Sequence, residues 1–257
     1  MRFPAKSESW AALAAALLVA TPAFSQEIVD PAATAAVRSH MQRHHGAGAI
    51  SYVEGERLEY QTNDGDPVFL WDAQGYYGGY LNKLWIKTEG EYDFSADEFS
   101  DAEVQALYSR AIGSFWDVQM GVRHDFLPDE DRTYGVLGVQ GLSPYLFEID
   151  AAAFISGHGD VTARLEAEYE ILLTQRLILQ PRAELNLALQ DVPALEIGSG
   201  LSAAEAGLRL RYEFRREFAP YVGVSWERRL GDTADFARAA GEDPQAVSFV
   251  AGVRLWF

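Results

Sequence analysis

A strict alternation of side chains between residues 161 and 173 restricts the fold more than any other feature of the chain. The odd positions are apolar or aromatic, namely Val161, Ala163, Leu165, Ala167, Tyr169, Ile171 and Leu173. The even positions Arg164, Glu166, Glu168 and Glu170 are all charged. Because successive side chains of a strand point to opposite faces, this pattern predicts a strand with one apolar and one ionic face.

Similar alternation recurs in about twelve segments, and the chain ends in an aromatic residue, Phe257. The approximate spans are 52–61, 68–76, 80–93, 103–112, 115–125, 132–142, 145–155, 161–172, 177–190, 203–215, 218–230 and 246–257. Apolar residues facing lipid and polar residues facing a lumen are typical of membrane barrels with an even number of strands. The sequence therefore predicts an all-β fold, an antiparallel outer-membrane β-barrel of about twelve strands, with ten as the alternative.

The connections between these segments alternate in length. The predicted short turns are 77–79, 113–114, 143–144, 174–176 and 216–217, and the longer loops are 62–67, 94–102, 126–131, 156–160, 191–202 and 231–245. Outer-membrane barrels have short periplasmic turns and longer external loops. With twelve strands, both termini are then expected in the periplasm.

The first residues resemble a secretory leader. Arg2 and Lys6 precede an apolar run from Trp10 to Ala20, and the small-residue step Ala23-Phe24-Ser25 follows. This order is typical of a signal peptide, and the apolar run is shorter than the roughly 20 residues that a spanning helix needs. A Gram-negative outer-membrane location is expected.

These observations divide the chain into three parts. We expect a signal peptide at 1–25, a periplasmic arm bearing His and Met at 26–47, and a transmembrane barrel at 48–257.

Within each predicted strand, odd-numbered and even-numbered residues point to opposite faces, and we use this side-chain parity to assign the faces. Toward the lumen it places Lys83, Lys87, Glu89, Glu91, Asp117, Gln119, Arg123, Asp125, Glu148, Asp150, Gln180, Arg182, Glu184, Asn186, Arg209, Arg211, Glu213, Arg215, Glu227, Arg229 and Arg254. Toward lipid it places Leu84, Ile86, Trp116, Val118 and the apolar residues of the last four strands. Aromatic girdles at the strand ends are expected from Tyr76, Tyr77, Tyr80, Trp116, Tyr145, Tyr212 and Trp226. The strand from Val104 to Ile112 has no clean assignment, because Arg110 shares the parity of its apolar residues.

The amino-acid composition limits which kinds of molecule the protein can bind. The formal net charge of -17 disfavours nucleic acid, whose phosphates require clustered basic residues. Cations and outer-membrane lipid are the expected partners. Since the chain has no cysteine, a site for a soft metal must use His or Met.

The candidate metal ligands are His40, Met41, His44 and His45, which lie in one six-residue stretch of the arm. In a helix, His40 and His44 would share one face at a spacing of four residues. Imidazole suits Cu(II), and thioether with imidazole suits Cu(I). The alternative interpretation is a solvated, weakly basic tail.

Several motifs resemble the copper resistance protein B family. They are residues 63–66, Trp71 to Gly79, Asn82 to Glu91, Leu107 to Ala111 and Gln119 to Asp125. The resemblance extends from about His45 to Phe257. It implies an outer-membrane barrel without enzymatic activity that binds, sequesters or exports copper ions alongside periplasmic copper-resistance proteins. Family members usually carry a longer arm rich in Met and His, so this chain is expected to bind few ions.

Two other functions remain open from the sequence. One is a passive pore whose charged lumen gives selectivity. The other is an outer-membrane lipid hydrolase built on Ser109 and His124, which lie on neighbouring predicted strands, although no third catalytic residue is evident. His124 has outward parity and is interpreted as a rim residue, and His158 lies at a loop tip and receives no role.

Overall fold

The computed structural model describes Val37 and residues 49–126 and 131–257. The strands are β1 (Ile50–Gln61), β2 (Val68–Gly78), β3 (Asn82–Asp93), β4 (Glu98–Ala111), β5 (Trp116–Asp125), β6 (Arg132–Leu142), β7 (Glu148–Ser156), β8 (Val161–Glu168), β9 (Ile171–Leu172), β10 (Leu177–Ala188), β11 (Gly200–Tyr212), β12 (Phe218–Arg229) and β13 (Gln245–Trp256). One helix, α1 (Gly231–Ala240), and three short 3-10 turns (Asn63–Gly65, Pro144–Leu146 and Pro193–Leu195) complete the elements of these ranges. The predicted strands match these bounds closely.

The sheet closes on itself. All neighbouring strands are antiparallel, and β1 pairs with β2 on one side and with β13 on the other. The last residue takes part, since the Phe257 N–H donates to the Val53 carbonyl at 2.8 Å and the Val53 N–H donates to the Phe257 carbonyl at 3.0 Å. Closure leaves no unpaired edge among the described strands. The prediction of an antiparallel barrel of about twelve strands is confirmed, because the two-residue β9 adds no further position to the closed ring of twelve.

The short strand β9 arises from a proline. The Tyr169 N–H donates to the Pro181 carbonyl at 3.1 Å, but Pro181 has no N–H to return. Regular pairing with β10 therefore ends at Glu168 and resumes at Ile171 in the same register. The predicted strand 161–172 is therefore one strand of the barrel, interrupted at residues 169–170 because Pro181 of β10 has no N–H to donate.

The barrel has two distinct ends. The turn end carries the connections 79–81, 112–115, 143–147, 173–176 and 213–217, together with the start of β1 and Phe257. The loop end carries 62–67, 94–97, 157–160, 189–199 and 230–244, together with Phe126 and Asp131. The predicted alternation of connection lengths is present only in part, because the loops 94–97 and 157–160 have four residues each, no more than the turn 112–115. The loop after β3 is shorter than expected.

That loop was predicted to run from residue 94 to 102, but β4 begins at Glu98. The Asp93 carboxylate accepts the backbone N–H groups of Ser95 and Ala96 at 2.6 and 3.0 Å. Local hydrogen bonds of this kind close a tight turn and leave the following residues free to pair. Asp97 completes the turn with a positive φ of 59°.

Burial confirms which face of the wall is ionic. The lumen-facing side chains Gln119 and Arg209 are each 2% exposed, whereas Val222 and Phe249 are 59% and 70% exposed. Large apolar residues cover the outside of the ring in the same way. Soluble proteins rarely expose a continuous apolar surface of this extent, and membrane barrels require one.

Two predicted side-chain positions are wrong. Tyr76 does not join an outer girdle, because its ring packs inside the barrel against Tyr52 and Trp85, with centroids 5.5 and 4.9 Å away. Arg215 does not face the lumen, because β11 ends at Tyr212 and Arg215 lies exposed in the turn that follows.

The strand that parity left unassigned is β4, and its outward face includes Arg110. Val104, Tyr108 and Ile112 share this face and are exposed. Arg110 lies one residue before the end of β4, opposite Asn82, at the turn end. A long cationic side chain at this position reaches the polar boundary of a membrane, so it is compatible with an apolar face.

The loop end contains a helix that the sequence analysis missed. Residues 231–245 were expected to form a loop, but α1 occupies most of them and buries Thr233, Ala234 and Ala237. The Gly198 N–H donates to the Thr233 hydroxyl at 2.9 Å, which joins the loop 189–199 to the helix. A Cβ atom at Gly198 would lie 2.6 Å from the Asp232 side chain, so this contact requires glycine. No helix within the described ranges has the length and apolar character needed to cross a bilayer.

Within the loop 189–199, Asp191 accepts the Ser199 backbone N–H at 2.7 Å. This hydrogen bond stabilises the carboxylate and lowers the pKa of Asp191. Val192 and Ile197 form an isolated bridge beside it, so the loop is held by its own backbone.

Candidate functional site: a charged barrel lumen

A closed ring of alternating charges crosses the middle of the lumen. It consists of Arg57, Glu89, Arg164, Glu184, Arg182 and Glu205, and each arginine contacts the two neighbouring glutamates. In ring order from Arg57 the nitrogen to oxygen distances are 2.6, 2.8, 3.6, 2.6, 3.1 and 3.7 Å. We call this set the arginine–glutamate ring. It joins β1, β3, β8, β10 and β11 across the barrel.

A bulge in β1 supplies the first arginine of this ring. The register of β1 against β2 shifts between Gly55 and Arg57, so one extra residue is accommodated there. Glu54 on one side of the bulge and Arg57 on the other are both buried, at 5% and 3% exposure. The bulge also directs Glu56 into the lumen, where it lines a chamber.

Further ion pairs fill the lumen beside the ring. Arg209 donates two hydrogen bonds to Glu59, at 2.9 and 2.7 Å, and Glu59 is fully buried. The Tyr221 hydroxyl and the Gln61 amide also donate to this carboxylate, at 3.0 and 2.8 Å. A buried carboxylate is stable only when paired and hydrogen-bonded in this way.

A third group of charges lies nearer the turn end. Arg254 contacts Glu54 at 2.6 Å and Glu170 at 3.0 Å, and Arg211 contacts Glu170 at 2.5 Å. Gln180 donates to Glu168. These contacts connect β13 and β1, where the barrel closes, to the opposite strands β8, β10 and β11.

Two chambers remain between the filled regions. The turn-side chamber has a volume of about 370 Å³ and is bounded by β1 to β8. The loop-side chamber has about 450 Å³ and is bounded by lumen residues, the loop 189–199 and α1. Arg164 and Phe154 line both chambers, so they lie on the partition between them.

The turn-side chamber is strongly acidic. Its charged lining comprises eight carboxylates and two basic residues: Glu56, Asp72, Glu89, Glu103, Glu148, Asp150, Glu166, Glu168, Lys87 and Arg164. Oxygen atoms of Glu56, Glu166 and Glu168 lie within 4.8 Å of one another. Lys87 is paired with Asp150. The chamber therefore favours cations over anions.

One wall of the lumen is apolar, which the parity analysis did not anticipate. Trp85, Leu107, Tyr134, Val136 and Phe154 form a buried cluster on β3, β4, β6 and β7. The Arg123 guanidinium lies 4.7 Å from the centre of the Phe154 ring and 5.4 Å from that of Tyr134. The interior is thus packed partly like the core of a soluble protein and partly by ion pairs.

The predicted copper ligands His40, Met41, His44 and His45 lie outside the described residues. The barrel adds no inward-facing donor of the same kind in the ranges that the structure describes. Its two histidines and its methionine lie elsewhere, with Met120 57% exposed on the outer face. His124 bonds to the Thr133 hydroxyl at 2.8 Å, and His158 lies in the loop 157–160. The outward position that parity assigned to His124 is confirmed.

Oxygen donors of the turn-side chamber suit hard cations such as Mg²⁺, Ca²⁺ and Mn²⁺ better than Cu(I). The described part of the barrel therefore does not fit a Cu(I) site.

Ser109 and His124 do not form a catalytic pair. Ser109 is fully buried on the lumen side, where its hydroxyl donates to Asp117 at 3.2 Å. His124 lies on the outer side, opposite Val104 and five positions along β4 from Ser109. A serine nucleophile requires its base within hydrogen-bond reach, and here the wall of the barrel separates them.

The fold and lumen together define the class of protein: an outer-membrane-type β-barrel with a charged interior. Among solved structures it is similar to the NanC porin, with a TM-score of 0.52 at 14% identity over 80% of this chain and 99% of that one. It is also similar to the KdgM porin in complex with disordered oligogalacturonate, with a TM-score of 0.50 at 12% identity over 81% and 99%. At these identities the likeness concerns the fold alone.

Sequence comparison identifies the family. The model of the copper resistance protein B precursor (CopB) family matches residues 49–257. Copper resistance protein B of Escherichia coli is 46% identical over 210 residues, which cover 81% of this chain and 70% of that protein. The copper resistance protein B homolog of Pseudomonas syringae pv. tomato is 43% identical over 241 residues, covering 92% and 81%. The chain belongs to the copper resistance protein B family, as its motifs indicated.

Proposed function

We propose that this protein handles copper ions at the outer membrane and thereby contributes to copper resistance. The observation that carries the proposal is the family match over the whole barrel, residues 49–257. The leader-like segment 1–25 and the apolar exterior of the ring support delivery to a membrane beyond the cytoplasm. Sequestration and export are both compatible with this role.

The copper ligands of the proposal are His40, Met41, His44 and His45. Their donor atoms suit copper in both oxidation states. The described barrel supports this choice indirectly, because Met120 and His124 face away from the lumen. The arm then binds the ion, and the barrel anchors the arm to the membrane.

The proposed orientation rests on the longest connections, 189–199 and 230–244, which lie at the same end of the barrel. With short turns on the periplasmic side, as is usual for outer-membrane barrels, the turn end faces the periplasm and α1 faces outward. The arm precedes β1, which starts at the turn end, so it lies in the periplasm. Periplasmic copper-resistance proteins are the partners from which it would receive copper. This role requires no catalysis.

A permanently open passive pore is the second candidate, and the two chambers favour it. The arginine–glutamate ring opposes it, because Arg57 and Arg182 are each buried to 3% side-chain exposure where a pore would need water. We therefore favour copper binding by the arm over free conduction by the barrel.

Copper titration of the purified full-length protein tests the arm. We expect the variant with His40, Met41, His44 and His45 all changed to Ala to bind Cu(I) or Cu(II) at least about 100-fold more weakly, since loss of the outer-shell partners of metal ligands alone costs about 10–100-fold. The matched control is a variant with Met120, His124 and His158 changed to Ala, which removes the same donor types from the barrel and should bind copper like the parent. Unchanged stoichiometry and affinity in the arm variant would remove the arm from the proposal.

A further inference from the structure

The lumen combines two chambers with one partition, and this arrangement points to a function beyond copper binding by the arm. The turn-side chamber and the loop-side chamber share Arg164 and Phe154 in their linings. The other lining residues come from opposite ends of the strands. On β8, for example, Glu168 lines the turn-side chamber and Thr162 lines the loop-side chamber, with Arg164 between them.

We propose that the arginine–glutamate ring is a closed gate between two aqueous chambers that open to opposite sides of the membrane, and that Arg164 is its moving part. The gate would admit cations, because carboxylates dominate the turn-side chamber. The proposal concerns the barrel alone and does not depend on copper binding by the arm.

The contacts of the ring indicate where it opens. Arg57 to Glu89, Arg164 to Glu89 and Arg182 to Glu184 are short contacts of 2.6 to 2.8 Å. The contacts from Arg164 to Glu184 and from Arg57 to Glu205 are longer, at 3.6 and 3.7 Å. The arginine nitrogens of these two contacts are buried and make no hydrogen bond to other described residues, as is also true of the Arg182 nitrogen that lies 3.1 Å from Glu205. By distance, the two longer contacts are the weakest of the ring.

The exposure of the three ring arginines indicates that Arg164 is the one that moves. Its side chain is 21% exposed, whereas those of Arg57 and Arg182 are each 3% exposed. The other two are enclosed on all sides, but Arg164 borders a chamber above and a chamber below. Its guanidinium also lies 5.8 Å from the centre of the Phe154 ring, which packs in the apolar cluster and forms a fixed wall.

Turning Arg164 toward either chamber breaks its contacts with three carboxylates, since it also donates to the buried Glu103 at 3.1 Å. Each of them keeps a second arginine at 2.6 to 2.7 Å, Glu89 with Arg57, Glu103 with Arg123 and Glu184 with Arg182, so no buried carboxylate loses its last cation.

Cysteine labelling tests the partition directly, since the natural chain has no cysteine. Gln140→Cys reports on the turn-side chamber and Thr162→Cys on the loop-side chamber. In sealed proteoliposomes, cysteines at Gly113 and Gly157, whose Cβ atoms meet open space at the turn end and the loop end, give the fraction of molecules facing each way. The probe is a small membrane-impermeant thiol reagent added outside.

With the gate closed, Thr162→Cys should label to the same extent as Gly157→Cys, and Gln140→Cys to the same extent as Gly113→Cys. With an open pore, both chamber cysteines would label completely. If Gln140→Cys and Thr162→Cys are both labelled completely in the otherwise natural barrel, no partition separates the chambers. This result would contradict the proposal whatever the arginine variants show. The cysteines at Gly113 and Gly157 show which end of the barrel faces outward. If a chamber cysteine is not labelled although the end next to it faces outward, that chamber does not open to that side of the membrane.

Arg164→Ala tests the moving part. We expect this variant to raise the rate at which the cysteine of each chamber is labelled from the opposite side by about tenfold or more. A tenfold increase corresponds to about 1.4 kcal/mol less free energy for opening the gate. Arg164→Gln, which keeps most of the side-chain volume, should act in the same direction if the alanine variant folds poorly. Arg238→Ala on the exposed face of α1 is the matched control. Unchanged labelling in a folded Arg164→Gln barrel would overturn the assignment of this residue.

Discussion

Arg209→Ala is expected to lower the free energy of unfolding by about 3–5 kcal/mol, because it leaves a buried carboxylate without its cation. Glu59 is fully buried and receives both of its ionic hydrogen bonds from Arg209. The remaining donors, Tyr221 and Gln61, are neutral and cannot balance the charge. Urea-induced unfolding of the reconstituted barrel, followed by tryptophan fluorescence and by the gel shift of the folded form, measures the effect.

Two variants separate the buried charge from a general loss of packing. Arg209→Ala combined with Glu59→Gln removes the charge as well as its partner, and should recover a large part of the lost stability. Arg238→Ala disrupts only an exposed pair with Asp235, and should be close to neutral. If the double variant is no more stable than Arg209→Ala alone, the stabilising role assigned to this pair is wrong.

Val222→Arg is expected to destabilise the barrel in a bilayer by about 2–4 kcal/mol. Val222 lies near the middle of β12 and is 59% exposed on the outer face. A charge at this depth contacts hydrocarbon if the ring spans a membrane, whereas it would contact water on a soluble protein. Unfolding in vesicles of phosphatidylcholine measures the difference.

The control for this prediction is Arg110→Val, which changes the outer face at the turn end, where a membrane meets water. It should alter stability far less than Val222→Arg, because the cost of an outer charge falls toward the interface. Equal, small effects of both variants would mean that the middle of the outer face is not in contact with lipid.

Side-chain parity predicts the wall of this barrel well, because each strand must present one face to each environment. The regular alternation of β8 and β10 gave both faces correctly. Parity fails where the backbone departs from regular geometry. The bulge between Gly55 and Arg57 places charged residues of both parities in the lumen, and no local pattern in the sequence marks its position.

The interior was harder to predict than the wall. Parity placed Glu89, Arg182 and Glu184 in the lumen, but it could not show that they form a ring with residues of other strands. Contacts across a barrel depend on strand tilt and stagger, which a single sequence does not encode locally. Glu205 shares the parity of Arg209 and Arg211 and could have been recognised on that ground.

Tyr76 shows a second limit of prediction from sequence. An aromatic residue near a strand end resembles a girdle residue, yet the Tyr76 ring packs inside the lumen against Trp85. The rule that lumens are polar holds for large, water-filled barrels. A twelve-stranded ring is narrow enough for part of its interior to pack as a core.

The helix α1 was missed because its apolar stripe is short. Only Thr233, Ala234 and Ala237 are buried, and small residues of this kind give little periodic signal within a predicted loop. Its packing against the loop 189–199 depends on Gly198, which lies more than thirty residues away in sequence.

Copper tolerance of cells with and without this gene is the measurement that decides whether the protein handles copper through its arm. We expect deletion to lower the copper concentration at which growth stops, and the natural gene to restore it. The variant lacking His40, Met41, His44 and His45 should not restore it, although its barrel reaches the outer membrane in equal amounts. Tolerance to zinc should not change. Deletion without any effect on copper tolerance, or full restoration by the arm variant, would contradict the proposal that this barrel handles copper through its arm.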